Sequence, residues 1–304
     1  MSEQYLICCD MDRTVIPNGY QPESPGARPL FKELVADDAV RLAYVTGRHR
    51  HLVESAIRSY QLPTPDFVIT DVGSRIWSVN EEGWSEISQW QLMIGKDWGS
   101  SRAADLRAAL APISLLRPQE PSKQAPFKLS FYVNRGADQA KLEASIAERL
   151  DALDIQHRQV WSMDEPAGVQ LLDILPLQAG KLGAIEFLAH RLHLPLESLI
   201  FAGDSGNDLE VLVSEVPSVL VANAADDVRE SAREALLGGS SEAAYYEAKG
   251  GSHGMNGNYC AGVVEGVGHF LPELMARVLG QRLVDHSELE ATGTDGEVQH
   301  EKAF

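Results

Sequence analysis

The stretch LICCDMDRTV, residues 6–15, decides how this chain folds. Its first four residues are apolar, which predicts a buried β-strand, and Asp10 and Asp12 follow where that strand ends. Because alternate residues of a strand project to the same side, these two carboxylates should lie close together. Two like charges at that distance need a divalent cation, a shared proton or a division of roles between nucleophile and acid/base.

Strands and helices alternate along most of the chain. The apolar runs that predict strands are 6–10, 40–47, 67–71, 198–204 and 218–223. The segments that predict helices are 27–38, 51–62, 181–192 and 207–216. Strands joined by helices of this length pair in parallel through right-handed crossovers. The sequence therefore predicts an α/β fold with a doubly wound, Rossmann-like parallel sheet, which binds ligands beyond the carboxyl ends of its strands.

The middle of the chain differs from the segments on either side. It combines a proline-rich break, PQEPSKQAP at 118–126, with further strand and helix patterns. We predict that residues 76–175 form a smaller α/β cap domain inserted into a core domain made of residues 1–75 and 176–285. The last residues, 286–304, lack apolar periodicity and are predicted to be disordered.

The composition limits the classes of function. The chain has 304 residues with 26 basic and 44 acidic side chains, a formal charge of −18. That charge argues against nucleic acid and anionic membranes as partners, and no apolar run reaches the roughly 18 residues of a membrane span. Three cysteines cannot form a disulfide framework, and the start shows no secretory pattern, so we predict a cytoplasmic protein. An anionic substrate would have to be attracted locally, by a metal ion, a few cations and backbone N–H groups.

Four polar clusters fall at predicted strand ends or helix starts. The first is Asp10 and Asp12 with Thr14, where a turn or a helix cap is the alternative interpretation. The second is TGR at 46–48, whose hydroxyl and N–H groups can hold an anion or cap the next helix. Each of these two patterns is weak when taken alone.

The other two clusters lie later in the chain. Gly180 and Lys181 open a helix, where a lysine is disfavoured by the helix dipole unless an anion sits in front of it. A solvated lysine is the alternative. The segment GDSGND at 203–208 places a carboxylate at a strand end and a second carboxylate at a helix start, where Asn207 or Asp208 could instead be an N-cap.

In order and spacing, these clusters resemble the four motifs of the haloacid dehalogenase superfamily, over residues 6–223. The resemblance implies a phosphatase in which Asp10 is the nucleophile and forms an aspartyl-phosphate, while Asp12 is the general acid and base. One of the two carboxyl groups must then start ionised and the other protonated.

The same resemblance implies a Mg²⁺ cofactor. Its ligands would be Asp10, the backbone carbonyl of Asp12 and Asp204, with Asp208 or water in an outer position, an oxygen-only set that suits Mg²⁺. The residues implied to hold or orient the phosphoryl group are Thr46, Gly47, Lys181, Ser205 and Asn207. Lys181 would also neutralise charge in the transition state.

The position of the inserted module, between the second and third motifs, resembles the type II cap group of this superfamily. Within that group, VTGR (45–48), LLDILP (171–176) and FAGDSGND (201–208) resemble the sucrose-phosphate phosphatases and related glycoside-phosphate phosphatases. The resemblance implies a disaccharide or glycoside phosphate as substrate, such as sucrose 6-phosphate or mannosylfructose phosphate, and a glycosyltransferase or synthase as partner. The alternatives are a phosphatase for hexose phosphates or a phosphorylated cofactor, and a non-catalytic regulatory module that binds a sugar phosphate.

Specificity is expected to come from the cap, which would close over the sugar. The candidates for substrate binding are Ser74, Lys128, Gln170 and Asp173, with strand-surface polar residues as the alternative interpretation. Arg75 is expected beside Ser74 at the interface between cap and core. Arg48 is expected to cap the helix that starts at His51 or to reach an anion.

Overall fold

The computed structural model describes residues 4–164, 168–238 and 244–281. Its strands are β1 (Tyr5–Cys9), β2 (Val40–Val45), β3 (Phe67–Thr70), β4 (Arg75–Asn80), β5 (Gly83–Glu86), β6 (Arg117–Pro118), β7 (Leu129–Val133), β8 (His157–Asp164), β9 (Val169–Pro176), β10 (Leu199–Gly203), β11 (Ser218–Leu220) and β12 (Tyr245–Glu247). Its helices are α1 (Ala27–Val35), α2 (Arg50–Tyr60), α3 (Ser88–Ile94), α4 (Ala103–Leu110), α5 (Gln139–Asp151), α6 (Lys181–Leu192), α7 (Leu209–Leu212), α8 (Asp226–Leu237) and α9 (Cys260–Phe270), followed by a helical segment at 272–281.

The strands form two sheets. The larger sheet has the order β12-β11-β10-β1-β2-β3-β4-β5, in which β12 to β3 are parallel and β4 and β5 are antiparallel at one edge. The smaller sheet has the order β6-β7-β9-β8 and is antiparallel throughout. The predicted α/β class, with a doubly wound parallel sheet and a smaller inserted unit, is confirmed.

The structure differs from the predicted start of the cap at residue 76. Strands β4 and β5 fall inside the predicted cap, yet β4 pairs with β3, with Ile69 opposite Ile76, and β5 pairs with β4. The hairpin therefore belongs to the larger sheet. Strand periodicity shows that a segment is extended but not which sheet it joins. The rest of the division into core and cap stays a prediction, and the tail 286–304 lies outside the described residues.

The alternation of side chains in β1 builds two hydrophobic layers. Leu6 and Cys8 pack in a cluster with residues of α6 and α7, while Ile7 and Cys9 pack in a second cluster with residues of α1 and α9. Both cysteines are fully buried and unpaired, as the strand interpretation predicts. The larger sheet is thus covered by helices on both faces, and folds of this kind bind ligands at the ends of their strands.

The smaller sheet also has two distinct faces. Phe131, Leu172 and Ile174 pack in a cluster with residues of α4 and α5. Because side chains alternate along a strand, the opposite face carries Asp173 on β9 and Val160 on β8. Val160 packs against a cluster of the larger sheet, so this second face is turned toward the core.

Across the described ranges, no helix combines the length and hydropathy that crossing a bilayer requires.

Candidate active site

Neighbouring strands of the larger sheet bring the predicted clusters to one edge. Asp10 follows β1, Thr46 follows β2 and Asp204 follows β10, and these three strands are adjacent. Lys181 is the first residue of α6, and Asp208 ends the turn after Asp204. All five side chains are buried. The parallel order of the sheet therefore concentrates charge at the end where such folds bind ligands.

Lys181 lies at the centre of this site. Its Nζ atom donates to Asp10 Oδ1 at 2.8 Å, to Asn207 Oδ1 at 2.7 Å and to Asp208 Oδ1 at 2.6 Å. Burial disfavours the charged amine, but the two carboxylates outweigh burial and raise the pKa of Lys181 above its usual range. The lysine is therefore a permanent cation with all three N–H groups in use, which excludes the solvated-lysine interpretation.

Two glycines, Gly73 and Gly180, allow a close contact between backbone segments just before Lys181. Gly73 has φ +89°, and a Cβ atom on it would lie 2.1 Å from the carbonyl oxygen of Gly180. Gly180 has φ +142°, a backbone conformation that L side chains rarely adopt. The loop after β3 can therefore pack directly on the segment that precedes the lysine.

Asp208 has both a structural role and a role in the site. Its Oδ2 atom accepts from the backbone N–H of Asp204 at 3.2 Å and from that of Ser205 at 3.1 Å, while Ser205 completes a capping box. Its Oδ1 atom bonds to Lys181. Ser205 is the N-cap and Asp208 the third residue of the box, so the prediction of Asn207 or Asp208 as a side-chain N-cap is wrong. The capping box aims the remaining oxygen of Asp208 at the lysine.

Three carboxylates form a group that could hold a cation. One oxygen from each of Asp10, Asp204 and Asp208 lies within 4.8 Å of the others. Burial, followed by repulsion from Asp208, raises the pKa of Asp204 to about 7. Burial also raises the pKa of Asp10 well above its usual range, against the opposing effect of Lys181. This surplus of negative charge on hard oxygen donors fits Mg²⁺.

Asp12 lies apart from that group and is held by Arg48. Arg48 Nε donates to Asp12 Oδ2 at 2.7 Å, Nη2 donates to Oδ1 at 2.6 Å, and Asn18 adds a bond at 2.8 Å. Burial opposes charge on Asp12, but these bonds outweigh burial, so the pKa of its carboxyl group is lowered. Asp12 is therefore ionised in this conformation, as a general base requires, whereas a general acid must carry a proton.

One of the two predicted roles of Arg48 is wrong. The helix after it begins at Arg50 with His49 as its N-cap, so Arg48 does not cap it. Its guanidinium does reach an anion, but that anion is the carboxylate of Asp12 in the same chain. Thr46 accepts a bond at 3.2 Å from the backbone N–H of Arg48 and so shapes this turn. The roles of Thr46 and Gly47 in holding a phosphoryl group stay predictions.

Sequence reasoning missed Arg13. This residue has φ +58°, and its Nε atom forms an ion pair with Asp204 Oδ2 at 3.1 Å. Its Nη2 donates to the backbone oxygen of Asn223 at 3.1 Å, and Asn223 donates back to the Arg13 carbonyl at 2.6 Å. The available signal was the position of an arginine between Asp12 and Thr14, where a strand-end loop turns back over the sheet.

The candidates on the cap side have different surroundings. Lys128 Nζ lies 3.3 Å from Asp71 Oδ1, and both side chains are buried. Ser74 donates to the backbone oxygen of Asp71 at 3.0 Å, and Asp173 accepts from the hydroxyl group of Ser130. Asp173 lies on the core-facing side of the smaller sheet, and its contact with substrate stays a prediction.

Gln170 is placed on the wrong face for the predicted role. Gln170 lies two residues before Leu172 and four before Ile174 on β9, so all three side chains share one face of the strand. Leu172 and Ile174 pack against α4 and α5, so Gln170 projects away from the core domain. Its predicted contact with substrate is therefore corrected. Arg75 forms a bidentate pair with Glu86 in the neighbouring strand β5, at 2.7 and 2.9 Å, and its place at the interface stays a prediction.

A model of the sucrose-6F-phosphate phosphohydrolase family matches residues 3–271. The chain belongs to this family. That membership confirms the place in the haloacid dehalogenase superfamily that the four motifs predict.

Relatives of this phosphohydrolase family member cover most of its length. A HAD-like hydrolase of Nitrosococcus oceani is 46% identical over 91% of this chain and 74% of its own length. The Arabidopsis thaliana protein named probable sucrose-phosphatase 2 is 30% identical over 73% of this chain. The chain spans about half the length of the Arabidopsis sucrose-phosphatases that it matches at that level, 51% in this case.

Solved structures agree with the fold of this phosphohydrolase family member. A sucrose-phosphatase from Synechocystis, solved in complex with sucrose and phosphate, has a TM-score of 0.70 with 24% identity, and covers 88% of this chain and 98% of that one. A haloacid dehalogenase-like hydrolase from Bacillus subtilis has a TM-score of 0.62 with 16% identity, and covers 88% of this chain and 92% of that one. At these identities the likeness shows the fold alone.

Replacing Lys128 tests whether its role is structural. We expect Lys128→Met to lower the free energy of unfolding by about 3 kcal/mol, because the carboxylate of Asp71 would stay buried without its cation. Urea denaturation measures the change, and the double variant Lys128→Met/Asp71→Asn should recover most of it. Unchanged stability with a raised KM for a sugar phosphate would instead support the predicted contact with substrate.

Proposed function

We propose that this chain is a Mg²⁺-dependent phosphatase that hydrolyses a disaccharide or glycoside phosphate through an aspartyl-phosphate on Asp10. The observation that carries this proposal is the buried contact of Asp10 with Lys181 beside Asp204 and Asp208, at the carboxyl edge of the sheet. Membership of the sucrose-6F-phosphate phosphohydrolase family supports it.

The chemistry follows from the side chains at this edge. An ionised Asp10 oxygen forms a bond to phosphorus while the bond between phosphorus and the sugar oxygen breaks, and Asp12 gives its proton to that oxygen. Asp12 then takes a proton from water, which displaces Asp10 from phosphorus and releases phosphate. Lys181 favours the ionised form of Asp10 and offsets the negative charge of the phosphoryl oxygens.

Mg²⁺ would be held by Asp10, the Asp12 carbonyl, Asp204 and Asp208, and it neutralises carboxylate and phosphoryl charge when bound.

Arg48 adds one requirement to this scheme. As long as it holds both oxygens of Asp12, the carboxyl group stays ionised and cannot donate a proton. We therefore propose that the pair opens when a substrate phosphate enters.

The names of relatives support a sugar phosphate as substrate. A mannosylfructose-phosphate phosphatase of Agrobacterium fabrum is 28% identical over 72% of this chain and 83% of its own length. A kanosamine-6-phosphate phosphatase of Bacillus subtilis is 22% identical over 74% of this chain, which makes the phosphate of a single sugar the second candidate. A non-catalytic binding module is disfavoured, because Asp10, Asp12, Lys181, Asp204 and Asp208 are all present at the edge.

Phosphate release from a panel of substrates tests the proposal. The panel holds sucrose 6-phosphate, mannosylfructose phosphate, glucosylglycerol phosphate, hexose phosphates and pyridoxal phosphate, each with Mg²⁺ and with EDTA. We expect one glycoside phosphate to be preferred and EDTA to abolish turnover. A preference for a hexose phosphate or for pyridoxal phosphate would replace the substrate class but keep the chemistry. No release from any compound would contradict phosphatase activity.

A glycosyltransferase or synthase that makes the phosphorylated sugar is the partner we propose. Part of a glucosylglycerol-phosphate synthase of Pseudomonas anguilliseptica is 26% identical over 87% of this chain, which is 30% of the synthase. A phosphatase and a synthase joined in one chain would pass the phosphorylated product directly between sites. The cytoplasmic location stays a prediction.

Mg²⁺ binding should be linked to the proton on Asp204. Its pKa of about 7 without a cation means that the carboxyl group must lose a proton to become a ligand below that pH. We expect affinity for Mg²⁺ to rise by up to about tenfold per pH unit between pH 5 and 7 and to level off above pH 7. Calorimetry in buffers of different ionisation enthalpy measures the released protons, and Asp204→Asn should release fewer protons than the wild type. Affinity that does not change with pH would contradict the assignment.

A further inference from the structure

Arg158 joins the smaller sheet, here called the cap sheet, to the two segments that carry the ion pair between Lys181 and Asp208. It lies on β8, and its Nη1 atom donates to the backbone oxygen of Ala179 at 2.7 Å. Its Nη2 atom lies 2.7 Å from Glu210 Oε2. Ala179 is two residues before Lys181, and Glu210 is two residues after Asp208. One guanidinium thus contacts the approach to the lysine and the helix that follows its carboxylate partner.

The segment that Arg158 holds is the connection from the cap to the core. Strand β9 ends at Pro176 and α6 begins at Lys181, so only four residues lie between the cap sheet and the lysine. Within them, Gln178 bonds to Asp97 at 2.7 Å through its backbone N–H and at 2.8 Å through its side chain. Asp97 lies between β5 of the larger sheet and β6 of the smaller one, so these bonds tie the two connections together.

Gly180 shows how closely Arg158 approaches this connection. A Cβ atom on Gly180 would lie 2.4 Å from Arg158 Nη1, and a Cβ on Gly73, on the loop after β3, would lie 2.1 Å from the Gly180 oxygen. The backbone just before Lys181 is therefore enclosed between a cap arginine and a core loop. A shift of the cap would move the backbone at Gly180, and it would therefore also displace Lys181, which is the next residue.

We infer that Arg158 is a positioning residue that couples the seating of the cap to the alignment of Lys181 and Asp208. This inference rests on the proposed phosphatase function. The planar guanidinium can contact a carbonyl and a carboxylate at once, which a lysine ammonium at the same position does less well. Because Lys181 acts on the phosphoryl group and not on the sugar, Arg158 affects turnover of every phosphomonoester and not only recognition of the natural one.

Kinetics on two substrates test the inference. We expect Arg158→Gln to lower kcat by about 10- to 100-fold for both a sugar phosphate and p-nitrophenyl phosphate, with KM changed by less than about twofold. Arg158→Lys should recover little of kcat, and Glu210→Gln should cost less because the bond to Ala179 remains. The control is Arg117→Gln, since Arg117 is exposed on β6 of the same sheet and its guanidinium lies over the ring of Tyr132. It should keep wild-type kinetics.

Hydrogen exchange gives a readout that does not depend on turnover. In Arg158→Gln the backbone amides of 177–183 and 205–211 should exchange faster than in the wild type, while Arg117→Gln leaves them unchanged. A loss confined to KM for the sugar phosphate would overturn the inference, because it would make Arg158 a sugar contact. Unchanged kcat and unchanged exchange would overturn it as well. A wild-type protein that releases no phosphate would defeat the proposed function, whereas exchange would still test the coupling.

Discussion

Asp10→Asn is expected to abolish phosphate release while the chain stays folded. An amide cannot attack phosphorus as a carboxylate does, and loss of a nucleophile in covalent catalysis lowers kcat by at least about 10⁴-fold. The side chain follows the end of β1 and lies outside the hydrophobic clusters, so the substitution removes charge without removing core volume. Phosphate release measures the loss. Acid-quenched mass spectrometry should find a phosphorylated peptide spanning residues 6–15 in the wild type and not in the variant.

A matched aspartate controls for the loss of a charge. Asp37 pairs with Arg277 at 2.8 Å and precedes β2, at the end of the sheet opposite the site. Asp37→Asn should keep wild-type turnover. If Asp10→Asn turned over at the wild-type rate, Asp10 would not be the nucleophile and the proposed chemistry would fail.

Lys181→Met is expected to have the second largest effect. The variant leaves Asp10 and Asp208 buried and close together without the ammonium group that bonds to both, so the pKa of Asp10 should rise further and its nucleophilic form become rarer. We expect kcat to fall by about 10³-fold at pH 7. Because higher pH restores the ionised form of Asp10, part of this loss should be recovered as pH rises.

A pH–rate profile of Lys181→Met, taken together with urea denaturation, separates the two causes of loss. The alkaline shift should appear in a protein that still unfolds cooperatively, and Lys32→Met, an exposed lysine on α1, should change neither rate nor profile. A uniform fall in kcat at every pH would mean that Lys181 acts only on the phosphoryl group and not on the ionisation of Asp10.

Much of the fold could be predicted because its signals are local. The apolar run before Asp10 is short enough for a strand, and its neighbours are joined by helices, so parallel pairing follows from connection length. The sequence therefore predicts Asp10, Thr46 and Asp204 at one edge of the sheet. Lys181 and Asp208 were placed there by the resemblance to a superfamily whose motifs occur in this order.

The errors share one cause, which is that partners lie far apart in sequence. Arg48 binds Asp12 across 36 residues, and Arg13 pairs with Asp204 in a distant loop. Strand β4 joins the larger sheet through β3, and the face on which Gln170 lies depends on the register of β9. A periodic pattern states that a segment is extended, but it does not state which strand it joins.

The sequence by itself determined where strands end and which side chains follow them, because apolar runs and turns depend on neighbouring residues. Only the tertiary structure decided what those side chains touch. Lys181 meets Asp10 across 171 residues, and Arg158 reaches Glu210 only because the cap lies on the core in this arrangement. Contacts of this kind depend on sheet order and on the packing of whole units, which no single segment of the chain encodes.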